Sequence, residues 1–192
     1  GDSLVYLPIQ ITAPTVMLLI FAISVLNRIN EMADLRNWKN IKKLEYMNSH
    51  DVLTGVYNRQ MLDPEKFKNH YFLLFDIDFF KKVNDEFGHD MGDKVLKKVV
   101  QIVDENISKE DMIIRYGGEE FAMILPHAKP EVVAEQIRKD FENYTFNTPE
   151  GAKHFTLSIG AAIYDRTYEN GSLFFEQADD ALYHAKRTGK NK

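Results

Sequence analysis

The stretch IIRYGGEEFAMIL, residues 113–125, joins two apolar runs through two glycines and two adjacent glutamates. β-Branched and aromatic runs broken by Gly-Gly predict a hairpin, with strands over 112–116 and 121–125. Glycine can adopt positive φ and close a tight turn. Lacking a Cβ, it also lets a backbone come close to a ligand. Two carboxylates side by side at the tip repel each other, and either a solvated tip or a cation accounts for them. Adjacent strand residues point to opposite faces, so Glu119 and Glu120 need not share one task.

Working outward, YFLLFDI (71–77) is a nearly continuous apolar run and predicts a buried central strand. It ends in D-x-D. Asp76 and Asp78 share a face at the C-terminal end of that strand, where open α/β folds place ligands. With the hairpin beside this strand, Asp76 and one glutamate converge on a divalent cation. Oxygen donors without His or Cys suit Mg2+ or Mn2+. The glycine turn adds room for a triphosphate, and together these features point to metal-dependent nucleotidyl transfer.

The remaining elements follow from periodicity and turn residues. A helix is predicted from about 58 to 67, and a helical turn begins in FFKKVNDEFG. Gly88 and Gly92 bracket GHDMGD, followed by an amphipathic helix over 93–107 with Asp93 in its first turn. A helix over 130–144, a strand over 154–164 and a helix over 172–186 complete the chain. This order implies an α/β class fold, an α+β sandwich with helices against a mainly antiparallel sheet.

The 192 residues allow one domain and a short appendage. An apolar fraction of 44% supports a real core. A net charge of -5 with interspersed signs speaks against polymeric nucleic acid as a partner. The absence of cysteine excludes disulfides, thiolate metal sites and a cysteine nucleophile.

The chain opens Gly1-Asp2 rather than on methionine, which reads as a fragment or processed product of a longer chain. Residues 4–26 carry no charge, enough to cross a bilayer core of ~30 Å as a helix. Pro8 and Pro14 weaken its first half. Asp2 precedes it and Arg28, Arg36, Lys39, Lys42 and Lys43 follow, so the positive-inside bias puts the rest of the chain in the cytoplasm, attached to the inner membrane. The competing reading is a helix buried in an upstream domain. Residues 27–50 are polar and helix-compatible. Leu26, Ala33, Leu44 and Met47 share a heptad seam with Asn30, Asn37 and Asn40, a weak coiled-coil seam suited to a connector. A single solvated helix fits the same residues. The organisation is thus 1–26 hydrophobic, 27–50 linker and 51–192 catalytic domain.

Six blocks in order, DVLTGVYNR, DIDFFKKVND, GHDMGD, RYGGEEF, SIGAA and ADDALYHAKRTGKN, resemble the GGDEF family of diguanylate cyclases from about residue 51 to 192. The resemblance implies a fold like that of class III nucleotide cyclases and the joining of two GTP into cyclic di-GMP. It implies a homodimer, controlled by an upstream sensor region through the N-terminal helix. The alternative is a catalytically silent GTP-binding regulatory module. By resemblance, Asp76 ligates metal through its carboxylate and Ile77 through its carbonyl. Glu119 ligates metal and helps deprotonate the ribose 3′-hydroxyl, and Glu120 supports the site or an alternate metal position. Asn84 and Asp93 read guanine, whose N1–H and NH2 donors a carboxylate can accept together. His89 contacts the nucleotide. Gly117 and Gly118 admit phosphate, and Lys81, Lys186 and Lys190 neutralise it. Lys190 stands where many members carry arginine. Many members also carry an R-x-x-D product-binding site upstream of the glycines. Here Asp111 is present but Ser108 replaces the arginine, so feedback inhibition through this site loses its planar donor.

Overall fold

The computed structural model describes residues 12–67, 69–126, 129–163 and 173–192. Contacts divide the chain into two units, 1–46 and 47–192. Helix α1, Ala13–Ser49, buries none of its residues. Pro14 is its second residue, where a missing N–H costs no helical hydrogen bond, so it opens the helix rather than weakening it. Asp2 and the segment before Thr12, with Pro8, lie outside the described residues. Among the described residues α1 is the one helix long and apolar enough to cross a membrane.

The second unit is built on a five-stranded sheet in the order β1-β3-β4-β2-β7. The strands are β1 (Tyr57–Asn58), β2 (Tyr71–Ile77), β3 (Met112–Arg115), β4 (Glu120–Leu125) and β7 (Leu157–Ile163). β1 runs parallel to β3, and the other neighbours are antiparallel. A separate small hairpin pairs β5 (Phe146–Thr148) with β6 (Gly151–Lys153). The helices are α2 (Phe80–Phe87), α3 (His89–Asn106), α4 (Pro130–Asn143) and α5 (Leu173–Arg187).

β2 is apolar up to Asp76 because both its faces are covered. Leu73, Phe75 and Ile77 join a core with Val95, Val99 and Val103 of α3 and Ile137 and Phe141 of α4. Phe72 and Leu74 join a second core with Ala178 and Leu182 of α5. Strand period two thus sorts one run into two layers. Each fully buried Leu, Ile or Phe contributes about 1.5–3 kcal/mol over its exposed state.

α5 lies unusually close to β7. A Cβ on Gly160 would overlap the Ala178 carbonyl oxygen and the Leu182 amide nitrogen, and would stand 2.8 Å from the Leu182 Cα. At the free side of β7, the Ile159 N–H donates to the Lys192 main-chain oxygen at 2.7 Å.

Several expected elements differ. The helix expected over 58–67 is replaced by β1 and two 3-10 turns, Arg59–Met61 and Pro64–Phe67. The Asn58 side chain caps the first turn by accepting from the Gln60 N–H, and pairing of Tyr57 and Asn58 with β3 holds the segment extended. The helix expected over 93–107 begins earlier: α3 starts at His89 and takes in Gly92, so Asp90 stands in its first turn and Asp93 lies beyond it. The strand expected over 154–164 begins at Leu157, and residues 154–156 link it to β6 without joining either strand. The expected boundaries at Tyr164 and Ser172 lie outside the described residues.

Candidate functional site

The end of β2 lies between two neighbours. Asp76 is in register with Glu120 of β4 and Ser158 of β7. From the last turn of α5, the Lys186 ammonium reaches the Asp76 carboxylate at 2.8 Å. Burial, then the charges of Glu119 and Glu120, push the Asp76 carboxyl above its ordinary range, and the Lys186 ammonium opposes them without cancelling them. Charging Asp76 is therefore costly until positive charge is added nearby.

The hairpin between β3 and β4 turns without positive φ at Gly117 or Gly118, contrary to expectation. The reversal is spread over residues 116–119, and the N–H groups of Tyr116 and Gly117 both donate to the Glu120 carbonyl, at 2.8 and 3.1 Å. A Cβ on Gly117 would lie 2.5 Å from the Glu120 carboxylate oxygen, the movable end of a side chain, so the glycine lets that carboxylate fold back over the turn. Around Gly118 the space is open. Arg115 holds the turn, donating to the Gly118 carbonyl at 2.8 and 3.2 Å and to the Asp51 carboxylate at 2.9 Å. Burial raises the Asp51 pKa, but hydrogen bonds from Thr54 and Arg115 outweigh it and leave this carboxyl below its usual range.

Glu119 faces a cleft of about 460 Å3, lined also by Phe80, Lys81, Asn84, His89, Asp93, Leu96, Arg115 and Gly118. α2 supplies Lys81 and Asn84, and the first turns of α3 supply His89 and Asp93. Gly92 permits the arrangement: a Cβ on it would overlap the Asn84 Oδ1 and stand 3.1 Å from both the Asn84 Cγ and the Phe80 Cζ. Phe80 is buried beneath the cleft. Polar groups and one apolar wall thus converge on a single opening.

Not every candidate joins this cleft. Asp76 and Lys186 pair at the sheet end. The Lys190 ammonium lies over the exposed Phe79 ring, 4.7 Å from its centroid. Asp78 shares a strand face with Asp76 but turns to structure. It is 3% exposed and accepts from the Thr156 and Ser158 hydroxyls at 2.7 and 2.8 Å and from the Asn191 N–H at 3.0 Å. Asp111 and Ser108 line a different cavity of about 400 Å3, with His50, Tyr57 and Asp104. There the Asp111 carboxylate closes its own turn by accepting from the Ser108 N–H at 2.7 Å.

Among the described residues no three His, Asp or Glu side chains cluster closely enough to hold an ion by themselves. Such clustering is not required of a nucleotide-bound Mg2+, which uses one or two carboxylates and takes its other ligands from phosphates and water. The hard oxygen donors and the raised Asp76 carboxyl fit an ion of this kind.

Local sequence pattern does not single out Arg115, Asp51, Gly92, Gly160 or Asn191 as site residues. All five lie within the quoted blocks, and the arginine of RYGGEEF directly before the hairpin tip was the clearest available signal.

Comparison with known proteins follows the same blocks. The family described as "Diguanylate cyclase, GGDEF domain" matches residues 48–192. The chain is 40% identical over 155 residues to "Probable diguanylate cyclase DgcT" of Escherichia coli K12, covering 74% of this chain and 34% of that protein. It is 33% identical over 173 residues to "Diguanylate cyclase DgcM" of the same organism, covering 83% and 41%. The chain thus spans less than half the length of these relatives. Among solved structures, the coiled coil and GGDEF domain of DgcB from Caulobacter crescentus, in complex with c-di-GMP, superposes with TM-score 0.76 at 28% identity, covering 90% of this chain and 97% of that one. Diguanylate cyclase SiaD from Pseudomonas aeruginosa, solved with its activator SiaC, gives TM-score 0.70 at 30% identity, covering 91% and 72%.

Proposed function

The chain belongs to the GGDEF family of diguanylate cyclases, and from that premise we propose that it condenses two GTP into cyclic di-GMP as a dimer of domains. Each domain binds one nucleotide. Facing domains present each ribose 3′-hydroxyl to the other's α-phosphorus. Each attack forms a new P–O bond and breaks the bond to pyrophosphate, so two pyrophosphates leave.

Support comes above all from the cleft, where Asn84, His89, Asp93 and Glu119 converge on one opening. Among the described residues the Asn84, His89 and Asp93 side chains form no hydrogen bond with protein, so their capacity is available to a ligand. Asp93 accepts from guanine N1–H and NH2, a donor pair that adenine lacks, and the Asn84 amide completes the edge. Phe80 and Leu96 wall the base, and His89, which lines the same cleft, contacts the nucleotide. Lys81, Lys186 and Lys190 neutralise phosphate charge, and open space at Gly118 admits it. Asp76, the Ile77 carbonyl, Glu119 and Glu120 would hold Mg2+ or Mn2+, which when bound lowers the pKa of the attacking hydroxyl and screens the phosphate charge. Glu119 takes the hydroxyl proton.

α1 is the element through which an upstream sensor region acts, by changing how two chains pair. Its apolar first half attaches the protein to the membrane, with the catalytic domain on the cytoplasmic side.

A second reading, a silent GTP-binding regulatory module, draws on the Lys186–Asp76 pair, which engages the proposed metal carboxylate with a cation from the protein itself. The deciding experiment measures cyclic di-GMP from GTP and Mg2+ with the chain held as a dimer. Product lost in Glu119→Ala supports the cyclase. GTP binding without product in a verified dimer supports the module, and full activity in Glu119→Ala rejects the role of Glu119.

A further inference from the structure

Asp78 has no part in the chemistry proposed above, yet its carboxylate turns wholly inward. One oxygen accepts from the Ser158 hydroxyl, and the other accepts from the Thr156 hydroxyl and the Asn191 N–H. Its own N–H donates to the Thr156 carbonyl at 2.9 Å. Thus the residue just after β2 is tied to the start of β7 and to a tail more than a hundred residues away in sequence.

Asn191 is held equally firmly. Its side-chain oxygen accepts from Arg138 at 2.7 Å, and its NH2 donates to Glu142 at 2.8 Å. Arg138 is itself fixed between Glu135 and Glu142 at 2.8 Å each. On either side of the Asp78–Asn191 bond the backbone is left-handed, with φ of 58° at Phe79, 60° at Lys190 and 52° at Asn191. Residues other than glycine keep such conformations where their surroundings impose them. The two strained neighbours of this bond, Phe79 and Lys190, are the pair whose ring and ammonium meet.

We propose that Asp78 and Asn191 are positioning residues that hold the Lys190 ammonium where the nucleotide's phosphates arrive. The two aspartates of one strand end then divide the work, Asp76 facing the reaction and Asp78 anchoring the phosphate-binding tail. This inference rests on the assignment of Lys190 to phosphate. An Asn191 side chain cut from Arg138 and Glu142 frees the tail, and Lys190 then spends its charge in solvent.

The test titrates the full chain by calorimetry with an α,β-methylene GTP analogue and Mg2+, and separately with guanosine. Lys190→Ala and Asn191→Ala are each expected to weaken the triphosphate about tenfold, the loss of one charge-assisted contact. Guanosine binding should stay within about twofold, since the cleft at Asn84 and Asp93 is untouched. The double variant should bind no more weakly than Lys190→Ala, because Asn191 acts through Lys190. Asp78→Ala, which removes both acceptor oxygens and so leaves the Asn191 N–H without its partner, should repeat the pattern, and where it does not fold Asn191→Ala decides alone. Unchanged triphosphate affinity in Asn191→Ala, an equal loss for guanosine, or additive losses in the double variant would overturn the inference. Failure of the unaltered chain to bind the analogue overturns the cyclase reading, and the inference with it.

Discussion

Replacing Gly92 by alanine separates stability from recognition. Gly92 sits in the second turn of α3 with ordinary helical φ, so alanine gains about 1 kcal/mol of helix propensity. Its Cβ would overlap the Asn84 Oδ1 and crowd the Phe80 ring edge at 3.1 Å. The obstacle is the end of a side chain, so Asn84 swings away at a rotamer cost of about 0.5–1.5 kcal/mol. The two effects nearly cancel, and the melting temperature should shift by no more than about 4 °C. Recognition has no such compensation. Loss of one or two hydrogen bonds from the Asn84 amide to guanine costs about 1–2 kcal/mol, which raises the GTP dissociation constant about tenfold. Preference for GTP over ATP should fall by a similar factor. Thermal unfolding and calorimetric titration of Gly92→Ala with both nucleotides measure these quantities together. Unchanged GTP affinity would refute the assignment of Asn84, and a fall in melting temperature beyond about 10 °C would show that the space over Gly92 serves packing.

The contrasting glycine is Gly160, where a Cβ meets the backbone of α5 rather than a movable side chain. Gly160→Ala should cost about 1–3 kcal/mol and lower the melting temperature by roughly 3–10 °C in thermal unfolding. Glu119→Ala should reduce product formation at least 100-fold, on the order of the loss of a general base, while GTP still binds. Asp51 has a folded-state pKa below its unfolded one, so its contribution is present above the ordinary aspartate pKa and is lost as pH falls through the folded value. The stability advantage of the unaltered chain over Asp51→Asn should therefore shrink as pH falls from about 5 to about 2, and urea unfolding at a series of pH values would reveal an advantage that instead grows toward acid.

Much of the fold is legible in local pattern. The apolar run of β2, the helical spacing of α3 and the hairpin around the glycines each declare themselves within a dozen residues. What escapes is decided at a distance. Residues 58–67 have helical character, but pairing of Tyr57 and Asn58 with β3 holds the start extended, and the Asn58 cap tightens Arg59–Met61 into a 3-10 turn. Asp76 and Asp78 look alike by strand period, yet Thr156, Ser158 and Asn191 take up only Asp78. Gly117 looks like a positive-φ turn residue, yet it has no positive φ, and what its missing Cβ leaves room for is the Glu120 carboxylate folded back over it. The hairpin of β5 and β6 escapes as well, because strands of three residues are too short for periodicity to register.

The bond from Ile159 to the Lys192 main-chain oxygen bears on how the sheet avoids its own kind. A sheet has two borders, and each offers unpaired backbone groups on which a strand from another molecule can dock. Here β1 closes one border with only two residues, too few to template a partner. The opposite border is β7, seven residues long and partly apolar. The returning tail takes up one of its donors and lies across the approach. Removing the last few residues would therefore do more than loosen a lysine: it would uncover a sticky border and favour strand-to-strand association at high protein concentration.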